Sequence, residues 1–256
     1  MATGLSVLIL AKNEEKNIAD CIKSVSFADE LIIVDSGSED NTCFIAESMG
    51  AKVYQHNMDD DGFAGQRNFA LEKAKYNWVL YLDADERVTQ ELAEEILEHI
   101  GQRSLSVAAV KRINVVMGKK MHYGVYRPDY AVRLFPKDSV YWTGMVHEKA
   151  VTELPVKELK SVVYHLCLTN WSQYFEKFNK YTDMMAKKMS KQGENINFFS
   201  MHLHALFAFF RMYILQLGFL DGKLGFILCQ YHYFYTLTKY VRLEQLRINK
   251  EKGFKK

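Results

Sequence analysis

Trp78-Val79-Leu80-Tyr81-Leu82-Asp83-Ala84-Asp85-Glu86 is the stretch from which the rest of this chain is best understood. Its apolar and aromatic run predicts a buried strand over 78–82 that stops at two aspartates separated only by Ala84. In extended backbone, residues i and i+2 point the same way, so Asp83 and Asp85 are expected side by side at the strand's carboxyl end. Hard oxygen donors there suit Mg²⁺ or Mn²⁺, which share their shell with substrate phosphates. The competing assignment is structural: Asp85 or Glu86 opens a helix over 89–100, since acidic residues favour a helix amino end.

Outward from this stretch, short apolar runs alternate with helix-like segments, the pattern of a parallel sheet covered by helices. Strands are predicted at 5–10, 31–34, 52–54 and 78–82, with helices near 14–25, 40–49, 64–75 and 89–100. From Val107 to Tyr164 the pattern changes to β-like runs (VAAVKRINVV, YAVRLF, SVVYHL), a sheet extension, with a loop at 117–124 that reads as mobile. After His165 the chain reads as helical, in three stretches.

Parallel α/β sheets bind ligands beyond the carboxyl ends of their strands. Polar clusters fall at three such ends: Lys12-Asn13-Glu14, Asp35-Ser36-Gly37-Ser38-Glu39-Asp40, and Asp83-Ala84-Asp85. Singly, Asn13 reads equally as a helix cap and Asp35 to Ser38 as a turn. Jointly, their placement points to a ligand. Ala11-Lys12-Asn13-Glu14 has no glycine turn of the dinucleotide-binding kind, and no phosphate-loop lysine motif occurs, so a nucleoside diphosphate fits better than a dinucleotide. Asn13 and Asp35 are placed to bond a base or ribose, and Arg67, in Phe63-Ala64-Gly65-Gln66-Arg67-Asn68, to add a charge-assisted contact.

At 256 residues the chain fits one domain with an appendage. Residues 1–156 carry 17 Lys and Arg against 24 Asp and Glu, a net −7; residues 157–256 carry 16 against 7, a net +9. The basic end suggests an anionic partner. Those basic residues lie among aliphatic and aromatic helix faces without a nucleic-acid-binding motif, so no nucleic-acid partner is expected. The four cysteines, Cys21, Cys43, Cys167 and Cys229, are far apart and read as reduced thiols. No signal peptide is recognised at the start, so secretion is not expected, and the reduced thiols read as those of a cytoplasmic protein.

The segments VLILAKNEEKNI, LIIVDSGSEDNT, QRNFAL and VLYLDADE together resemble a family 2 glycosyltransferase of the GT-A fold. Arg133-Leu134-Phe135-Pro136, Trp142-Thr143-Gly144-Met145-Val146-His147-Glu148, GFLDGKLGF and KYVRLEQ resemble the bacterial lipopolysaccharide core β-glucosyltransferases within it. The resemblance implies a GT-A domain over 1–165, with a mostly parallel sheet and helices on both faces, and a helical appendage over 166–256. It implies an inverting, metal-dependent transfer of a hexose, glucose from UDP-glucose, to a cell-envelope glycan or glycolipid. Donor contacts fall to Ala11, Asn13, Glu14, Asp35, Ser36, Gly37, Arg67, Asp83, Ala84 and Asp85. Asp83, Asp85 and His165 are the expected Mg²⁺ or Mn²⁺ ligands, with His147 competing for the histidine's place. Glu148 is the expected base and Asp129 the fallback. The rivals are a sugar nucleotidyltransferase, which normally has a glycine-rich phosphate loop after its first strand, and a non-catalytic membrane adaptor.

Thirteen of the 43 residues over 198–240 are Phe or Tyr. His204, Arg211 and Gln216 interrupt the first stretch, and an arginine near a bilayer centre costs about 2.5–3.5 kcal/mol, so helices lying in the lipid interface fit better than a crossing. That puts the protein peripherally on the cytoplasmic face of the inner membrane, where basic residues reach anionic headgroups. Packing of the same helices on the sheet or on a second subunit, as in a homo-oligomer, is the alternative.

Overall fold

The computed structural model describes residues 4–57, 62–102, 105–144 and 148–253. Strands and helices alternate at first: β1 (Leu5–Ala11), α1 (Ile18–Ser24), β2 (Glu30–Asp35), α2 (Thr42–Ser48), β3 (Lys52–Gln55), α3 (Gly62–Lys73), β4 (Trp78–Asp83), β5 (Glu86–Val88) and α4 (Gln90–Gly101). There follow β6 (Val107–Val116), β7 (Lys119–Lys120), β8 (Asp129–Pro136), β9 (Tyr141–Thr143), β10 (Lys149–Val151) and β11 (Val156–Leu168). Three helices end the chain: α5 (Trp171–Lys191), α6 (Phe198–Phe210) and α7 (Gly222–Gly253). The chain divides into two compact units, one of Met1–Ile113 with Asp129–Leu166, the other of Asn114–Pro128 with Cys167–Lys256.

In the first unit the strand order is β3-β2-β1-β4-β8-β6-β11-β5. β1 is buried along its whole length and pairs in parallel with β2 and β4. Val7, Leu8 and Ile9 are fully buried, each worth about 1.5–3 kcal/mol in apolar area removed from water. Their alternating sides feed two cores: Val7 and Ile9 meet Ile18, Cys21 and Ile22 of α1, and Leu8 joins the core that holds Ala64 and Ala70 of α3. The sheet then turns antiparallel, β8 pairing with β4 and with β6. Register puts Ala11 beside Asp35 and Leu10 beside Asp83, so the ends of β2, β1 and β4 lie in a row.

One local expectation is overturned. β4 ends at Asp83, Ala84 and Asp85 form a turn, and the chain leaves along β5, antiparallel to β11. Asp83 and Asp85 are therefore not neighbours on one extended strand. The buried Glu86 carboxylate accepts from the Asp83 amide (3.0 Å), while Arg87 donates to the Ala84 carbonyl (2.9 Å). Nor does an acid open α4: Thr89 caps it, its hydroxyl accepting from the Leu92 amide at 3.2 Å.

In the second unit the loop read as mobile is tied down. The buried Asp221 carboxylate accepts from the His122 amide (3.2 Å) and the Tyr123 amide (2.9 Å), and Lys119 donates to the Asp221 carbonyl (2.5 Å). In GFLDGKLGF, Gly225 lies so close to the Gly218 carbonyl that a Cβ on Gly225 would come within 2.2 Å of that oxygen. Asn170 and Asn197 cap α5 and α6, accepting from the Gln173 and Ser200 amides. The second helical stretch, expected over about 198–220, breaks earlier, at a π turn over Arg211–Leu215. Of α6 only Ala205 is buried, and Phe198, Phe199, Leu203 and Phe207 are exposed. Phe198–Leu215 meets the length and composition of a membrane span, 18 residues with mean hydropathy 1.3, and 6% of it is buried. At 1.5 Å per residue it measures about 27 Å, just under a bilayer core of about 30 Å.

Candidate active site

The loops after β1 and β2 hold one another. Asn13 adopts a left-handed backbone (φ 55°), which asparagine tolerates, and so donates its amide to Ser38 Oγ (2.8 Å) while its side-chain oxygen accepts from the Glu39 amide (2.8 Å). The Glu14 amide donates to Thr42 Oγ1 (2.8 Å). Asp35 is fully buried, and its Oδ2 accepts from the amides of Gly37 (3.0 Å) and Ser38 (2.8 Å), Gly37 taking φ 80°. The Asp35 carboxylate thus shapes its own loop. The Ser36 amide closes the junction on the Ala11 carbonyl (3.0 Å), and Gln66 of α3 donates to Ser36 Oγ and to the His56 carbonyl.

Asp83 stands in a chain of alternating charges. Its Oδ1 accepts from Arg67 (3.1 Å) and its Oδ2 from Arg133 (2.7 Å); Arg133 also reaches Glu86 (2.9 Å), Glu86 lies 3.6 Å from Arg112, and Arg112 pairs with Asp129 (2.8 Å). At the other end Arg67 lies 3.6 Å from Glu148. Burial by itself would raise the Asp83 carboxyl, but Arg133 and Arg67 beside it hold it well below the usual carboxylate range. Its folded value being below the unfolded one, the pairing stabilises the fold above about pH 4 and is lost on acidification. Burial pushes the Glu86 carboxyl up, and the Asp83 charge adds to this against Arg133 and Arg112.

Asp85 goes elsewhere. Its Oδ2 lies 3.2 Å from His165 Nε2, and its carbonyl accepts from the Leu166 amide (2.8 Å), which fastens the turn to β11. Of the three expected metal ligands, Asp85 and His165 form a donor corner, whereas both Asp83 oxygens are engaged by arginines. Among the described residues no group of three or more His, Cys, Asp or Glu is arranged to hold a metal ion. One oxygen and one nitrogen donor still fit Mg²⁺ or Mn²⁺, because such ions take one or two protein ligands and fill their shell from phosphates and water. His147 lies outside the described residues.

Arg67, Asp83, Arg112, Arg133, Trp142 and Glu148 line one cleft of about 440 Å³. The buried Arg67 guanidinium sits over the Trp142 ring, 4.8 Å from its centroid, and its Nε and Nη1 have no hydrogen-bond partner among the described residues. Arg112 holds the Asp129 carboxyl below its usual range against the effect of burial, which makes Asp129 a poor base.

The three strand-end clusters sit at the ends of adjacent strands, as GT-A architecture requires. The family model described as Glycosyl transferase family 2 matches residues 6–182. The chain belongs to that family. This glycosyltransferase is 30% identical to an uncharacterised glycosyltransferase of Rickettsia typhi over 258 residues, 95% of this chain and 86% of that one. It is 29% identical to the lipopolysaccharide core biosynthesis glycosyltransferase LpsC of Rhizobium meliloti over 235 residues, 87% of this chain and 85% of LpsC. The crystal structure of Staphylococcus aureus TarS 1-349 is similar with a TM-score of 0.46 at 15% identity, covering 96% of this chain and 92% of that one. Membership makes the protein a transferase and sets aside the nucleotidyltransferase and the adaptor.

The glycosyltransferase keeps three site features that the sequence reading missed: the roles of Glu86, Arg112 and Arg133 in the charge chain. The signal was present in Val132-Arg133-Leu134, where a strand puts an arginine between apolar neighbours. A cation at such a position implies buried counter-charges.

Proposed function

We propose that this glycosyltransferase is an inverting, metal-dependent hexosyltransferase that moves glucose from UDP-glucose to a cell-envelope glycan or glycolipid such as lipopolysaccharide core. The observation that carries the reading is the Asp85–His165 corner beside the row of strand ends, with Glu148 in the cleft that Asp83 and Arg67 also line. The loops of Ala11, Asn13, Glu14, Asp35, Ser36 and Gly37 hold the nucleoside, and Arg67, Asp83 and Ala84 the ribose and diphosphate. Asp85 and His165 hold the ion. Arg67 supports this with buried donors, Nε and Nη1, that have no hydrogen-bond partner among the described residues.

Glu148 accepts the proton of the acceptor hydroxyl, whose oxygen attacks the anomeric carbon from the face opposite the nucleotide. The bond to the diphosphate breaks, UDP leaves with the bonding electrons, and the configuration inverts. A bound Mg²⁺ or Mn²⁺ would offset the charge growing on the departing diphosphate. The kinship to LpsC supports the acceptor class.

UDP-glucose is expected to be hydrolysed slowly with Mg²⁺ or Mn²⁺ and not with a chelator present. Asp85→Ala should lower this turnover by about 100-fold, the effect of losing roughly 3 kcal/mol of electrostatic stabilisation. Chelator-resistant turnover, or none with any nucleotide sugar, overturns the reading.

Peripheral attachment to the cytoplasmic face of the inner membrane belongs to the same proposal. It is supported by the exposed Phe198, Phe199, Leu203 and Phe207 on α6 and by the net +9 of residues 157–256. Sedimentation with phosphatidylglycerol liposomes should exceed that with phosphatidylcholine liposomes and fall at least several-fold in Phe199→Glu/Phe207→Glu. Equal sedimentation of variant and wild type removes the membrane from the account.

A further inference from the structure

Within the second unit, α5 and α7 enclose a pocket of about 420 Å³ that the reaction above does not use. Its walls include Tyr126, Tyr174, Phe178, Tyr181 and Tyr235, with Lys177 and His232 the basic groups among them. The volume falls within the usual range for small-molecule sites, about 300–1,000 Å³. The aromatic faces are fixed by their neighbours: Tyr174 packs at 5.2 Å from Tyr231, Phe178 edge-on at 6.0 Å from Tyr235, and His232 stacks on Tyr235 at 5.9 Å. Among the described residues Lys177 makes one hydrogen bond, to the Cys167 carbonyl at 2.9 Å, which leaves two of its three ammonium hydrogens for a ligand.

The phenol groups narrow the ligand. Among the described residues no hydrogen bond is formed by the hydroxyls of Tyr126, Tyr174, Tyr181 or Tyr235; Tyr174 is a buried residue, Tyr126 and Tyr235 are half-buried and Tyr181 is exposed. None of these hydroxyls is among the buried polar atoms left without a partner, so they stay open to water and free to bond a ligand. An acyl chain laid over these hydroxyls would strip their water and return nothing. A polyhydroxylated ring satisfies them, its flat carbon face lying on an aromatic side chain, and Lys177 supplies the counter-charge for an acidic substituent.

We infer that the helical unit carries a saccharide-binding pocket, formed by Tyr126, Tyr174, Tyr181, Tyr235 and Lys177, that takes an acidic sugar residue of the acceptor glycan. This rests on the glycan-acceptor reading above for its purpose, but binding there needs neither donor nor metal.

The test is therefore run on the full chain without nucleotide. Saturation-transfer NMR and calorimetry are carried out with glucuronate, glucose 6-phosphate, glucose and laurate as the probes. Glucuronate or glucose 6-phosphate should bind at least tenfold more tightly than glucose, the two arms separating a carboxylate from a phosphate, and laurate should not compete. Lys177→Met should remove the preference for the acidic sugars. Tyr174→Phe, which keeps the ring and loses only the hydroxyl, should weaken every sugar several-fold with the far-ultraviolet circular dichroism unchanged. Laurate binding in place of the sugars would make the pocket an acyl site, and absence of binding by all four probes would make it a packing void; either result overturns the inference. Failure of UDP-glucose turnover with acidic-sugar binding intact would overturn the donor reading alone.

Discussion

Glu148→Gln is expected to leave UDP binding within about twofold of wild type while lowering glucosyl transfer by roughly 10²–10⁴-fold, the range for losing a general base. The substitution keeps the side chain's size and removes only its ability to take a proton. Glu148 is suited to that test because its carboxylate lies 3.6 Å from Arg67 in the cleft that Asp83 also lines, so a changed cleft would register first in nucleotide affinity. Titration calorimetry with UDP and single-turnover transfer separate the two effects. Wild-type transfer by the variant would place the base elsewhere. Asp129 would be a weak replacement, since Arg112 binds both its oxygens, at 3.0 and 2.8 Å.

The largest effect on stability should come from Arg133→Met. Arg133 is buried between Asp83 and Glu86, and its loss leaves two carboxylates without their shared cation. Breaking a buried pair from one side costs about 3–5 kcal/mol. For a chain of this size that lowers the melting temperature by about 6–20 °C. Glu86→Gln in the same chain should recover part of the loss, because Glu86 is fully buried and already disfavoured as a charge. A coupling of more than about 1 kcal/mol between the two substitutions is expected in chemical denaturation. Strict additivity would mean that the two side chains do not act as a pair.

Much of the scaffold was legible from local pattern. The alternation of apolar runs and helical segments over the first hundred residues requires burying one strand face against each helix layer, and β1 to β4 follow it within a residue or so at each end. The charge chain was not legible in this way. Arg112, Arg133 and Glu86 come from three strands, and no local period relates them. The turn at Ala84 and Asp85 was hidden for a different reason: apolar period predicts an extended run with paired carboxylates, whereas Glu86 accepts from the Asp83 amide, Arg87 donates to the Ala84 carbonyl and the Leu166 amide donates to the Asp85 carbonyl, and the chain turns.

The residues alone settled the parallel α/β core, the row of polar strand ends and the family, because each follows from apolar period and short motifs that act within a few residues. Which partner each carboxylate takes was left to tertiary structure: Asp83 to two arginines, Asp85 to His165, Asp35 to its own loop. A carboxylate's partner is set by what other strands and loops bring within about 3 Å, where electrostatic and hydrogen-bond energies become large enough to choose.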